Sequence, residues 1–286
     1  MEAMRLDLHT HSTASDGALS PSLLIKEAAR LGIGLLALTD HDTTSGLEEA
    51  SRAAREEGIS FIPGIEIEVA HEGGEFHLLG LGIDASHPVL GHLLADLRRR
   101  RHERNVRIIH RMREAGIEVS LEDMEEVQGV VTRPHFARLL VARGLARSIP
   151  EAMEEYLNYG RPFYEPKAGC TLEEAVRAIH TAGGLAVIAH PVSLGIPDEQ
   201  LVRRFADYRE AGVDGVEAYH YSHSLEEARK FSRIAASLGL LVSAGSDFHG
   251  KDRRDVDLGT TAGGLTITSS LIPDLIERLS HCGVCT

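Results

Sequence analysis

The sequence predicts an α/β fold, a (β/α)7 barrel with an inserted helical domain, from three observations. Strand-like and helix-like segments alternate over most of the 286 residues. Seven segments have the pattern of a strand, a number that suits a sheet closed into a barrel. The alternation stops once, between about Ala85 and Lys167, where the pattern is helical throughout.

The predicted strands are short aliphatic runs bounded by turn residues. In chain order they are residues 5–9, 34–40, 60–69, 76–83, 185–190, 215–219 and 240–247. Helical patterns follow several of them, at 21–31, 44–57, 172–182, 198–211 and 225–238. Strands that alternate with helices of this length predict a parallel sheet, and the glycines after the helices are typical C-caps.

The central helical stretch indicates an insertion into the barrel. We therefore expect a barrel domain of residues 1–84 and 168–286 and a helical cap of residues 85–167. The first predicted helix of the cap carries eight arginines and one glutamate between Arg98 and Arg113. The whole chain nevertheless has a net charge of −13, which argues against a general nucleic-acid coat protein.

Composition is typical of a globular protein, with 43% hydrophobic and 26% charged residues. No apolar run approaches the roughly 20 residues of a membrane helix, and the N-terminus lacks the apolar region of a secretory signal. We expect a cytoplasmic protein with no membrane contact and no stable protein partner. Three cysteines do not suit a disulfide framework, and the role of Cys282 and Cys285 stays open.

Histidines and carboxylates are concentrated where the predicted strands end or begin. They are His9, His11, Asp16, Asp40, His41, Asp42, Glu66, His77, His190, Asp247 and His249. In α/β barrels the chemistry lies at the carboxyl ends of the strands. Imidazoles and carboxylates together are ligands for Zn, Mn or Fe. Asp40 and Asp42 have two possible roles, to orient the imidazoles or to cap the following helix.

The motifs DLHTHS, TDHD, PGIE, AHP and GSDFH, together with His77, extend from Asp7 to His249. This combination resembles the PHP (polymerase and histidinol phosphatase) family. The helical insertion and the phrase TRPHFARLL, residues 132–140, resemble the branch that contains nucleoside 3',5'-bisphosphate phosphatases and ribonuclease AM. The resemblance implies a distorted seven-stranded barrel that binds two or three divalent metal ions, Mn or alternatively Zn or Fe.

The resemblance also implies which residues bind the ions. His9, His11, Glu66 and Asp247 would bind the first ion; Glu66, His77 and His190 the second; Asp16, His41 and His249 the third. We expect Asp16, His41, Glu66, Asp247 and His249 to be the catalytic residues among them. Such ions, about 3.5 to 4 Å apart, lower the pKa of a bridging water and bind phosphate oxygens, so the expected activity is phosphoester hydrolysis.

The cap supplies candidates for substrate binding. Arg104 and Asn105 lie on or beside an apolar stripe of the first cap helix, where an anionic ligand would give them a partner. Arg133 and His135 lie at the start of a helix that Pro134 initiates, a position that favours anions. Solvated arginines, and a surface salt bridge for Arg133, are the alternatives. Further candidates for a phosphate contact are Arg161, Lys167 and His223.

The expected substrate is a small nucleotide or a short RNA. The protein would remove the 3'-phosphate from nucleoside 3',5'-bisphosphates, or release nucleotides from the 5' end of short RNA, or both. One alternative is a histidinol-phosphate phosphatase, which the barrel alone permits. The other is a non-catalytic metal-binding module, whose mark would be the loss of ligands.

Overall fold

The computed structural model describes residues 3–71, 74–120, 122–124, 131–166, 169–250 and 256–281. Its sheet contains β1 (Leu6–Asp7), β2 (Leu35–Leu38), β3 (Ser60–Val69), β4 (Phe76–Leu81), β5 (Leu185–Ile188), β6 (Gly215–Tyr219) and β7 (Leu241–Ala244), paired in chain order. The helices are α1 (Pro21–Arg30), α2 (Leu47–Glu57), α3 (Pro88–Glu114), α4 (Arg133–Ala142), α5 (Ile149–Ala152), α6 (Leu172–Thr181), α7 (Asp198–Glu210), α8 (Leu225–Leu238) and α9 (Pro273–His281).

The first and last strands close the sheet into a barrel. The Leu8 amide donates to the carbonyl oxygen of Ala244 at 3.2 Å, and the Asp247 amide donates to that of His9 at 2.8 Å. A further bridge joins Thr10 and Phe248 just beyond the two strands. The predicted α/β barrel of seven strands is confirmed. Its closure places β1 beside β7.

The prediction of a wholly parallel sheet is wrong for β4. This strand is antiparallel to both β3 and β5. Only residues 70–75 separate β3 from β4, too few for the crossover that parallel neighbours need, so the chain reverses direction. The reversal places the start of β4, and with it His77, at the edge where the parallel strands end.

Alternating side chains of the strands contribute to two different cores. On the inner face, Ile62 of β3 and Leu79 of β4 pack in one cluster with Leu275 and Leu279 of α9. On the outer face, residues such as Ile65 pack against the surrounding helices. Helix α9 was not predicted; Pro273 begins it, in the position where the fixed φ of proline is helical.

The segment between β4 and α6 contains α3, α4 and α5, which are joined by loops, and the residues described there include no strand. Helix α3 belongs to two cores, because Leu90, Leu94 and Leu97 pack on the barrel layer, whereas Ile108 and Met112 pack with α4 and α5. The division at residues 85 and 167 into two domains stays a prediction. Among the described residues, no helix is both long and apolar enough to cross a membrane.

A substitution of Phe136 tests the packing of the second core, because this side chain is fully buried in the cluster that α3, α4 and α5 form. We expect Phe136→Ala to lower the free energy of unfolding by about 3–5 kcal/mol, since the substitution leaves a cavity. Urea denaturation measures the loss. Leu23→Ala is the control, because Leu23 is 52% exposed on α1 and its loss should cost no more than about 0.5 kcal/mol. Equal losses in the two variants would contradict the described packing.

Candidate metal centre

The first group of candidate ligands comes from the chain after β1, from β3 and from the chain after β7. The Nε2 atoms of His9 and His11 lie 3.1 Å apart. Glu66 Oε2 lies 3.3 Å from the first of these nitrogens and 3.2 Å from the second. Asp247 Oδ1 lies 3.5 and 3.1 Å from the same two atoms. The structure therefore brings together the four residues predicted to bind the first ion, in a group that could hold a metal.

The distances in this group fit the coordination shell of a metal ion. With ligand bonds of about 2.05 Å, neighbouring ligand atoms are about 3.3 Å apart in a tetrahedron and about 2.9 Å apart in an octahedron. Glu66 Oε2 faces the imidazole nitrogens, yet it is buried and forms no hydrogen bond with any described residue. A buried carboxylate oxygen without a hydrogen-bond donor is an acceptor suited to a cation. The residues fit a divalent ion, and their chemistry does not select among Zn, Mn and Fe.

The other carboxylate oxygen of Glu66 belongs to a second group. Glu66 Oε1 lies 2.9 Å from His77 Nδ1 and 3.0 Å from His190 Nε2. The two imidazole nitrogens are 3.3 Å apart. Ser193 Oγ lies 2.8 Å from the remaining ring nitrogen of His190 and orients the ring. A cavity of about 240 Å³ opens onto this group, so a ligand can reach it.

The third predicted group is also assembled. His249 Nε2 lies 3.2 Å from Asp16 Oδ1, and these two residues form a possible metal group with His11 and His41. His41 Nδ1 also lies 3.0 Å from Glu66 Oε2, so this ring stands between two groups. All nine predicted ligands thus form one continuous cluster, while their coordination of metal stays a prediction.

The electrostatics of the cluster show what a cation would replace. Burial alone would lower the pKa of His9, but Glu217, Glu66 and Asp247 outweigh it and raise the pKa well above its ordinary value. Burial alone would raise the pKa of Glu66, but His41 and neighbouring imidazoles hold it well below its ordinary value. The Glu66 carboxylate is therefore ionised, and divalent ions would take over the neutralising role of protons on the imidazoles.

Three strand ends at the cluster have a strained backbone. Asp42, His190 and Asp247 have φ angles of 49°, 28° and 52°, in a region that costs a non-glycine residue about 1–3 kcal/mol. The amide of each of these residues donates a hydrogen bond to the neighbouring strand or to the segment that follows it. That of Asp42 donates to the Glu66 carbonyl at 2.9 Å and that of Asp247 to the His9 carbonyl at 2.8 Å, and that of His190 donates to a Glu217 carboxylate oxygen at 2.8 Å. The barrel thus fixes these bends.

Two residues of the site were missed, Glu217 and His220. Glu217 Oε1 lies 3.0 Å from His9 Nδ1, which leaves His9 Nε2 free to face the cluster. His220 Nε2 lies 3.4 Å from Asp247 Oδ2. The signal was present, because Glu217 faces inward in the predicted strand 215–219 and His220 follows that strand directly. Gly245 permits the approach, since a Cβ there would lie 2.2 Å from the His9 Cβ.

The two aspartates that flank His41 stabilise loops. Asp40 accepts hydrogen bonds from the Ser12 amide at 2.8 Å and the Ser15 hydroxyl at 2.6 Å, which fixes the segment that carries two of the candidate ligands. Asp42 accepts a hydrogen bond from the Glu68 amide at 3.0 Å and pairs with Arg101. Of the two roles that the sequence left open for these aspartates, the helix cap is wrong, because α2 begins at Leu47, after Gly46.

The arginines of α3 near the cluster differ in whether carboxylates neutralise their charge. Arg101 pairs with Asp42 and, at 3.3 Å, with Glu68. Arg104 is 2% exposed, and its Nε has no hydrogen-bond partner among the described residues. Burial and the positive charge of Arg101 lower the pKa of Arg104 to about 10, so it is still charged at neutral pH. Its Nη2 lies 3.3 Å from Asn105 Oδ1.

The remaining substrate candidates differ in availability. Arg133 lies 2.6 Å from Glu75, His135 Nδ1 accepts the Thr132 amide at 2.9 Å, and Arg161 is exposed. Lys167 lies outside the described residues, as do Cys282 and Cys285.

His223 is buried, and its Nδ1 donates to the Ala218 carbonyl at 2.9 Å. Burial lowers the pKa of His223 to about 4, so the ring is neutral at neutral pH. The roles of all these residues toward a substrate stay predictions.

Comparison with known proteins agrees with this geometry. The PHP domain family model matches residues 7–190. The chain belongs to the PHP family. It is similar to a 5'-3' exoribonuclease of Escherichia coli strain K12, with 39% identity over 251 residues that cover 86% of each chain. It is equally similar to a 3',5'-nucleoside bisphosphate phosphatase of Chromobacterium violaceum, with 39% identity over 90% of this chain and 91% of that one.

A solved structure resembles this PHP protein over nearly its whole length. It is an amidohydrolase from Chromobacterium violaceum with bound sulfate and no metal. It superposes with a TM-score of 0.85 and 36% identity, over 97% of this chain and 96% of that one.

Glu217→Gln tests how the cluster is held. Glu217 accepts from His9 Nδ1 with one oxygen and from the His190 amide with the other. Because the amide of glutamine has no negative charge and turns an NH2 donor toward one of these two N–H groups, we expect metal affinity to fall about 10- to 100-fold. Competition with a chromophoric chelator measures the affinity. Glu226→Gln is the control, an equivalent change on the exposed first turn of α8. Unchanged affinity in Glu217→Gln would remove this residue from the site.

Proposed function

We propose that this PHP protein is a metal-dependent phosphoesterase that hydrolyses nucleotides carrying a 5'-phosphate. The observation that carries the proposal is the cluster of nine candidate ligands centred on Glu66, with a buried, charged Arg104 in the cap above it. Divalent ions bound by the cluster would polarise phosphate oxygens and lower the pKa of a water molecule. The names of the two relatives, an exoribonuclease and a nucleotide phosphatase, support the same chemistry.

The cap residues would bind a second anion. Arg104 is charged and incompletely partnered, and Arg133 is paired with a single carboxylate that a phosphate can displace. Asn105 donates its amide to the Val131 carbonyl at 3.1 Å, which directs its oxygen toward Arg104. Charge-assisted hydrogen bonds from arginines are strong phosphate contacts. They would hold the 5'-phosphate while the cluster engages the phosphate on the 3' oxygen.

One bond change accounts for both expected reactions. Water attacks phosphorus, the bond between phosphorus and the ribose 3' oxygen breaks, and that oxygen leaves as a hydroxyl. With a nucleoside 3',5'-bisphosphate the other product is inorganic phosphate. With RNA the other product is the shortened chain, which carries a new 5'-phosphate. A non-catalytic role is disfavoured, because each of the nine ligand positions holds a ligand residue.

The substrate class can be tested directly with manganese-loaded protein. We expect hydrolysis of adenosine 3',5'-bisphosphate and of a 5'-phosphorylated oligoribonucleotide, since both present two phosphates across one ribose. Histidinol phosphate should be a poor substrate, because it has no group for the cap arginines. Release of phosphate and of mononucleotides is measured. Hydrolysis of histidinol phosphate alone would contradict the nucleotide assignment.

Substitutions in the cap separate substrate binding from metal binding. We expect Arg133→Ala and Asn105→Ala to lower kcat/KM for the bisphosphate; for Arg133, the loss of a charged hydrogen bond worth about 1.5–3 kcal/mol corresponds to about 10- to 150-fold. Metal content should not change. Arg99→Ala is the matched control, because Arg99 is an exposed arginine of α3 that pairs with Asp96 and Glu103. Activity equal to that of the control would assign both residues to the solvated surface.

A further inference from the structure

We infer that the cleft between the barrel and the cap, lined by Tyr159 and Tyr164 beside Arg133, binds the nucleobase of the nucleotide whose 5'-phosphate Arg133 holds. The inference rests on the proposed function and adds a base-recognition site to it. Nothing in the predicted ligand set or in the predicted phosphate contacts includes these two tyrosines.

The cleft has the size and position that such a site needs. Its volume is about 820 Å³, within the usual range of about 300–1,000 Å³ for small-molecule sites. One wall is formed by the end of β3 and the start of β4, the other by the cap segment from Asn158 to Pro166. Glu75 lines both this cleft and the cavity over the metal cluster, so the two spaces are adjacent.

Tyr159 is presented to solvent by a loop that is itself well anchored. Among the large hydrophobic side chains of the described residues it is the most exposed, at 87%. Phe163 of the same loop is buried in the cap core and stacks on Tyr156 at 5.7 Å. Gly160 has a φ of 76° and permits the turn between them. Phe163 therefore anchors the loop in the hydrophobic core, and the Tyr159 ring stays exposed to solvent.

The two tyrosines form a surface suited to an aromatic ligand. Their ring centroids are 5.4 Å apart with planes at 72°, so the edge of one ring meets the face of the other, and Tyr159 keeps an open face. Stacking of a base on such a ring is worth about 1–3 kcal/mol and tolerates any base, because every base has a π face. A hydrophobic peptide would instead require apolar walls.

Charge in the cleft fits a nucleotide better than a neutral aromatic compound. Arg133 lines the cleft and bonds to Glu75, and a phosphate would compete for the same guanidinium. The other carboxylate of the wall, Glu68, is paired with Arg101. An anionic group at Arg133 and a flat apolar group on Tyr159 are the two halves of a nucleotide.

The test compares two substrates that differ only in the base. One is adenosine 3',5'-bisphosphate, and the other is the same bisphosphate with hydrogen in place of adenine. For the unmodified protein we expect KM to be about 5- to 150-fold lower with the base, the range that stacking of about 1–3 kcal/mol predicts. In Tyr159→Ala this ratio should fall toward one, because only the KM of the adenine substrate rises. Tyr159→Phe should retain the ratio, since the ring remains.

Controls separate this inference from the function on which it rests. Val202→Ala removes an apolar side chain that is 52% exposed on α7 and should leave the ratio as it is. A full ratio in Tyr159→Ala, with hydrolysis intact, would overturn the base site and leave the phosphoesterase standing. If the unmodified protein hydrolyses neither compound, the proposed function fails. The base site is then decided by the ratio of the two dissociation constants in calorimetric titrations of the unmodified protein and Tyr159→Ala.

Discussion

The buried carboxylate of Glu66 is the constraint around which the site is built. Its side chain is 1% exposed, and its two oxygens face different sets of imidazoles. Oxygen Oε1 faces His77 and His190, whereas Oε2 faces His9, His11 and His41. A buried carboxylate is costly unless positive charge accompanies it. Divalent cations held by these residues would satisfy this requirement, and they would supply the positive charge that the hydrolysis of a phosphate ester needs.

Barrel topology delivers the ligands to this carboxylate. Parallel strands end at one edge, and that edge would collect only residues from their carboxyl ends. The reversed strand β4 adds a residue from its beginning, His77. Bends with positive φ at Asp42, His190 and Asp247 then turn the chain inward, and amide hydrogen bonds between neighbouring strands fix each bend. The rigidity of the site thus comes from the closed barrel.

Helix α3 fixes the distance between the cluster and the residues that we propose bind a second anion. Its first turns pack on the barrel through Leu97 and its last turns pack in the cap through Ile108. The residues between these contacts cross from one core to the other, and among them are Arg101, Arg104 and Asn105. Arg101 is neutralised by carboxylates that flank the metal site, whereas the charge of Arg104 is left for a ligand. One continuous helix therefore joins the two cores and positions the residues that we propose hold a phosphate.

The sequence by itself determined the seven strands and the cluster of histidines and carboxylates, because strand periodicity and residues at strand ends are local patterns. It also predicted that Arg104 and Asn105 lie on or beside the apolar face of α3, where both side chains are buried. Only the tertiary structure decided the direction of β4, the pairing of Glu217 with His9 across 208 positions of sequence, and the contact of Arg101 with Asp42 across 59. These choices depend on which distant segments meet in space, and local spacing carries no information about that.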